Sequence, residues 1–172
     1  MLVFCWLFLL LPAWLEAATL PDENVDLFYH RYEGGGMTID GPSVLVRKSA
    51  GNQVSVTGQY YVDSVSAASV DVLATASEYQ EEREEYTLGV DYLHEDAILS
   101  IGYSNSSEND YEAENAYFSI SQEFFGGMST VTMGYIAGRD DIGRVGNTSF
   151  SESAERRNYQ LGLSQVLTRS LL

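Results

Sequence analysis

Residues 53–63 read QVSVTGQYYVD. Val54, Val56, Gly58, Tyr60 and Val62 interleave with Ser55, Thr57, Gln59, Tyr61 and Asp63. Successive strand side chains point to opposite faces, so one face of this strand is apolar and the other polar. The pattern returns downstream. Tyr86, Leu88, Val90 and Tyr92 alternate with Thr87, Gly89 and Asp91, and Leu99, Ile101 and Tyr103 with Ser100, Gly102 and Ser104. Phe118, Ile120 and Phe124 oppose Ser119, Ser121 and Glu123; Val131, Met133 and Tyr135 oppose Thr130, Thr132 and Gly134; Tyr159, Leu161 and Leu163 oppose Gln160, Gly162 and Ser164. After residue 20 no stretch keeps a helical period as well, and the spacing predicts an all-β chain, an antiparallel up-and-down meander.

Connections between these strands carry the next signal. Short ones are expected at residues 49–52, 95–96 and 126–128, and long ones at 66–84, 106–113 and 140–155. Their alternation puts the long loops on one side of the sheet, the asymmetry of bacterial outer-membrane barrels. The long loops are also the acidic ones, with Glu78, Glu81, Glu82, Glu84 and Glu85 in the first, Glu108, Asp110, Glu112 and Glu114 in the second, and Asp140, Asp141, Glu152 and Glu155 in the third. Aromatics fall at strand ends: Tyr86, Tyr103, Tyr117 and Tyr159 toward the loops, Tyr92, Phe124 and Phe125 toward the turns. Two girdles of this kind mark the two interfaces of a bilayer. The three prolines, Pro12, Pro21 and Pro42, precede the repeating region, which suits uninterrupted ladders.

Seven strands are expected after Gly41 and an eighth over 25–33. A barrel must close to leave no edge in lipid, and the chain stops at Leu172 without a terminal aromatic strand. The expectation is an incomplete transmembrane barrel, residues 19–172 being its amino-terminal portion. Residues 2–11 (LVFCWLFLLL), ended by Pro12 and followed by Ala17 and Ala18, read as a signal peptide over 1–18. The run is too short for a membrane helix. The sole cysteine, Cys5, lies within it, so the exported chain holds no disulfide and no thiolate metal site.

A net charge of −16 argues against nucleic acid as a partner, since a phosphate-binding surface needs clustered Lys and Arg; outer-membrane lipid is the expected one. The acidic connections raise a divalent cation such as calcium as a ligand, with Asp63 and Asp71 as candidate carboxylates; no other cofactor is indicated. Gly34, Gly35 and Gly36 lack the Lys-Ser/Thr of a phosphate loop and suit a turn. No GxSxG elbow or Ser-His-Asp set is recognisable, and the two histidines, His30 and His94, are far apart in the chain. On the polar face Gly89, Gly102, Gly134 and Gly162, with Asp91 and Glu123, are the expected lumen-facing residues, small enough to leave space inside or to let the strands coil.

Five segments, YHRYEGGGMTIDGPSVLVRKS (29–49), YYVDSVSAASVDV (60–72), EEREEYTLGVDYL (81–93), SENDYEAE (107–114) and SQEFFGG (121–127), resemble the bacterial family known as domain of unknown function 3570. The resemblance runs from about residue 19 to the end and implies an exported outer-membrane barrel longer than this chain, with no established reaction. The chain departs from the family in its uncharged signal region and absent carboxyl half. The reading is an outer-membrane barrel acting as a pore or surface scaffold. Its alternatives are a secreted all-β binding module with two packed sheets, and a barrel enzyme with acidic groups at the loop side.

Overall fold

The computed structural model describes residues 18–67, 79–144 and 149–167. The expected signal segment thus lies almost wholly outside the described residues, as do Asp71 and Glu78. Eight strands form one sheet in chain order: β1 (Asn24–Gly34), β2 (Met37–Ala50), β3 (Val54–Ala67), β4 (Tyr79–His94), β5 (Ala97–Ser107), β6 (Tyr111–Phe124), β7 (Ser129–Ile142) and β8 (Glu152–Gln165). Every neighbouring pair is antiparallel, and the described residues contain no helix. The sheet is an open meander rather than a closed barrel, since β1 pairs only with β2 and β8 only with β7.

Strands are longer and connections shorter than the charge pattern suggests. The β5–β6 connection is only residues 108–110, and β7 and β8 reach Ile142 and start at Glu152. Glu81, Glu82, Glu84 and Glu85 therefore stand on β4, Glu112 and Glu114 on β6, Asp140 and Asp141 on β7, and Glu152 and Glu155 on β8. Charged strand ends are stable here because the ladder supplies the backbone hydrogen bonds whatever the side chains, and Glu84, Glu85, Glu114, Asp140, Asp141 and Glu155 meet arginines or tyrosine hydroxyls. Pro42, expected ahead of the sheet, lies inside β2, at a gap where neither it nor Gly41 is matched to β3. Gly35 (φ 64°) and Gly36 (φ 78°) form the two-residue turn between β1 and β2, a mirror-image turn that glycine adopts without strain.

Register places the alternating residues on common faces. Val46, Gly58, Leu88, Tyr103, Ala116 and Ala137 form one row across β2 to β7, and Val56, Val90, Ile101, Phe118, Tyr135 and Tyr159 another across β3 to β8. On this face no charged side chain falls between Val54 and Val62, Tyr86 and Tyr92, Leu99 and Tyr103, Ala116 and Phe124, Val131 and Ala137, or Tyr159 and Leu163. The stretch from Val54 to Val62 spans about 27 Å along the strand at ~3.4 Å per residue. Tilted as in a barrel by about 40°, it gives an apolar height of roughly 20 Å, comparable with the ~25 Å band of outer-membrane barrels.

The apolar face is the exposed one. Leu88 is 63%, Ile101 61% and Leu161 79% exposed, while on the opposite face Ser55 is fully buried. Among the described residues the buried hydrophobic set is Ala18, Ala97 and Ala113, which is not a core. Polar-face side chains converge and reach across two strands, so that face is the concave one.

Candidate functional site on the polar face

Three long side chains on the concave face each span a neighbouring strand at a glycine. His30 of β1 stands opposite Gly41 of β2, yet its Nε2 lies 2.8 Å from Asp63 Oδ1 on β3. Tyr117 of β6 lies over Gly102 of β5, with its hydroxyl 2.7 Å from where a Cβ on Gly89 of β4 would stand. Arg156 of β8 passes Gly138 of β7 and donates to Asn115 Oδ1 on β6 at 3.3 Å. At Gly102, Gly89 and Gly138 the missing side chain is what lets the span form, whereas a Cβ on Gly41 would meet the backbone of Val62 instead. At Gly138 a Cβ would sit 2.6 Å from Asn115 Oδ1.

The first span opens a network at the loop-side end of β1 to β5. Tyr61 stacks on the His30 ring, with centroids 5.0 Å apart and planes 3° from parallel, and its hydroxyl is 3.3 Å from His30 Nε2. Both oxygen contacts fall on the same ring nitrogen. An imidazole passes a proton between partners held on its two nitrogens, so this arrangement is a tether rather than a relay. Asp63 Oδ2 also lies 4.0 Å from Arg83 Nη1, and Arg83 donates from Nη2 to Glu85 at 2.7 Å and from Nε to Ser106 Oγ at 3.1 Å. The cleft beside them holds about 260 Å³ and is lined by Gln59, Tyr61, Asp63, Arg83 and Glu85. Each carboxylate here meets a basic group, which makes the concave face a belt of both signs.

Similar chemistry recurs at β6 to β8. Arg156 donates to Asp140 Oδ1 at 2.6 Å, and the Asp140 side chain is almost wholly enclosed. Nearer the turns, Ser100 donates to Asp91 at 2.6 Å and Arg47 to Thr57 at 3.1 Å.

The sequence-predicted residues distribute as follows. Gly89, Asp91, Gly102, Glu123, Gly134 and Gly162 all lie on the polar face by register. Gly89 and Gly102, however, are roofed by Tyr117, whereas a Cβ at Gly134 or Gly162 would meet its nearest atom at 3.5 or 3.7 Å, an ordinary contact. Tyr86, Tyr92, Tyr103, Phe124 and Tyr159 are exposed on the apolar face. Tyr117 departs from that set, because the pairing that puts Phe118 outside puts its neighbour inside. Tyr60 and Tyr135 join the outward aromatics instead, their rings 5.0 Å from Tyr86 and 5.1 Å from Tyr159. Tyr60 donates to Glu84 at 2.7 Å and Tyr103 to Glu114 at 2.8 Å, so the phenol ends meet the charged rim.

Of the two candidate cation ligands, Asp63 is paired with His30 and stands near Arg83, and Asp71 lies outside the described residues. Among the described residues no three His, Cys, Asp or Glu are grouped to hold a metal ion. His94 sits at the turn side, stacked on Tyr92 at 6.3 Å. No family model, curated protein or solved structure matches this chain.

Proposed function

We propose that this sheet is the wall of an outer-membrane β-barrel of a Gram-negative bacterium, acting as a pore or a surface scaffold. Its apolar face meets lipid, its concave polar face lines the interior, and its acidic strand ends face outward from the cell. The observation that carries the reading is the inversion of exposure: an uncharged apolar surface lies outside, while the hydrogen-bonding side chains lie within. Water would penalise such a surface by ~25 cal/mol for each Å² left exposed, whereas hydrocarbon accepts it. Tyr60, Tyr86 and Tyr103 near the loop-side rim suit an interface between hydrocarbon and water. The resemblance of residues 29–49 and the four later segments to the domain of unknown function 3570 family belongs to the same reading.

Lipid offers no partner to the outer backbone groups of β1 and β8, so in this reading both edges are paired in the membrane. The belt of His30, Asp63, Arg83 and Glu85 then faces the interior, where charges of both signs order water and passing ions. Fractionation of cells expressing the chain with its export segment tests the proposal. The expected result is recovery with outer membranes and extraction only by detergent. A monomer melting cooperatively in plain buffer would defeat it and leave the secreted module of two packed sheets as the better account.

A further inference from the structure

The cleft of about 260 Å³ near the loop-side ends of β3 and β4 opens on the concave face, to which Gln59, Tyr61, Asp63, Arg83 and Glu85 all belong by register. An aromatic strip leads into it from the edge of the sheet. Phe28 of β1, Ser43 of β2, Tyr61 of β3 and Glu85 of β4 form one row. His30, two residues on from Phe28, crosses β2 and stacks on Tyr61. It reaches the Tyr61 ring from the β1 side, while Arg83 and Glu85 border the cleft on the β4 side. Phe28 stands about 10 Å from Tyr61 at ~4.8 Å per strand, with the small, buried Ser43 between. Although it faces inward, Phe28 is 65% exposed.

Each polar group lining the cleft keeps something to offer. Asp63 meets His30 through Oδ1 and leaves Oδ2 at 4.0 Å from Arg83 Nη1, beyond hydrogen-bond reach. Glu85 takes Arg83 Nη2 through Oε2, and its Oε1 has a long contact of 3.5 Å with Thr87. Gln59 touches Ser43 at 3.4 Å, which is equally weak. A carboxylate only accepts and a guanidinium only donates, and the two kinds stand side by side here. An anion would face Asp63 and Glu85, a cation would face Arg83, and an apolar molecule would leave all three unmet. A hydroxyl both donates and accepts, so it satisfies neighbours of either kind. What fits is a neutral molecule with hydroxyls around its edge and an apolar face for the rings of Tyr61 and Phe28.

We infer that this cleft and strip bind a neutral oligosaccharide, an inference that rests on the reading of the concave face as a barrel interior. At about 260 Å³ the cleft is smaller than the ~300–1,000 Å³ of drug-sized pockets, which suits one sugar ring. That ring lays its C–H face on Tyr61, donates hydroxyls to Asp63 Oδ2 and Glu85 Oε1, and accepts from Arg83 Nη1. The saccharide then runs toward β1, where Phe28 takes the C–H face of a later ring and loses its contact with water. His30 backs Tyr61 and fixes its orientation. With the loop-side ends outward, the site lies near the cell-facing mouth, where a sugar arrives from outside.

Isothermal titration calorimetry and saturation-transfer NMR on the full chain, held in an amine-oxide detergent that carries no sugar, test this. The probes are linear hexasaccharides of glucose, mannose and N-acetylglucosamine, with hexagalacturonate as an anionic counterpart. At least one neutral probe is expected to bind, with saturation transfer strongest on its ring C–H protons, and hexagalacturonate is expected not to bind. Affinity should fall about ten-fold in Phe28→Ala and in Tyr61→Ala, the scale of one aromatic contact. Tyr61→Phe keeps the ring and should retain binding, and Phe125→Ala, at the distant β6–β7 turn, should change nothing. Phe28 is exposed on an edge strand, so its variant carries the test even if Tyr61→Ala fails to fold. Silence from every neutral probe, equal binding of hexagalacturonate, or indifference to Phe28→Ala would each overturn the assignment. A chain that is membrane-bound but takes no sugar sinks only this inference; one that is soluble in buffer sinks the membrane reading on which it rests.

Discussion

The ring of Tyr117 occupies the space that any side chain at Gly102 would need. A Cβ built on Gly102 would fall 2.2 Å from Tyr117 Cζ, and one on Gly89 2.7 Å from its hydroxyl. The two glycines and the tyrosine are therefore one packing unit on the concave face. An alanine at Gly102 must push the ring off the sheet.

Gly102→Ala is expected to cost about 1–3 kcal/mol, the range for overpacking a filled site. Gly134→Ala and Gly162→Ala, where contacts would be 3.5 Å and 3.7 Å, should change little. Urea or thermal midpoints in detergent measure all three. Combining Gly102→Ala with Tyr117→Ala should recover part of the loss, since the clash goes with the ring. Strictly additive losses would mean that the ring does not roof the glycine.

Gly41 makes a harsher demand. A Cβ there would stand 1.9 Å from the carbonyl oxygen of Val62, a backbone atom that cannot swing aside as a side chain can. Gly41→Ala should cost more than the roughly 1–3 kcal/mol of ordinary overpacking and should loosen β1 with β2, read as faster amide exchange in both strands. The His30–Asp63 contact above it is milder. A double-mutant cycle with His30→Ala and Asp63→Ala should show coupling of about 1 kcal/mol.

How much of this was legible in the sequence depends on whether a feature is local. The alternation in Val54–Val62 and Tyr86–Tyr92 needs only neighbours, and it places strands and faces correctly. The run Glu81–Glu85 was opaque for the opposite reason: with no apolar member, period two leaves no trace, and the charge reads as loop although the residues are strand. Its position near a strand end points Tyr117 to the girdle, but its face is decided by the pairing of Phe118 with Ile101. The spans were beyond reach, because His30 and Asp63 lie 33 residues apart and Asn115 and Arg156 lie 41 apart. Only the register brings them to either side of a glycine.

Acid should loosen the entry to β1. Lys48 bonds to Glu23 at 2.5 Å, and with the backbone N–H of Ser49 it holds the Glu23 carboxyl below the usual carboxylate range. A lowered folded value means a tether fully present above the unfolded carboxylate range and lost as pH falls through the folded one. Proteolytic nicking near Glu23 should rise on acidification in the parent chain. In Glu23→Gln it should be high and nearly independent of pH, and a parent profile just as flat would refute the tether.

Charge on the two faces should act in opposite ways. Ile101 is exposed at the middle of the apolar band, so Ile101→Arg should cost roughly 2–4 kcal/mol if that surface lies in hydrocarbon. Membrane-inserted protein should then fall sharply. Ser119→Arg, on the concave face opposite Gly134, should insert normally. If Ile101→Arg instead raised yield and solubility, the exposed face would be meeting water, and the bilayer would not be its solvent.

Sidedness follows from β5 alone. Asp96 precedes the strand and Asn109 follows it, both exposed, and a spanning strand must put them in different compartments. With Cys5→Ser as background, Asn109→Cys should react with a membrane-impermeant maleimide on intact cells, and Asp96→Cys only after the outer membrane is opened. Labelling of both on intact cells would mean that the strand does not cross. The reverse pattern would keep the crossing but turn the acidic strand ends inward, where Glu84, Glu114 and Glu155 would border the periplasm.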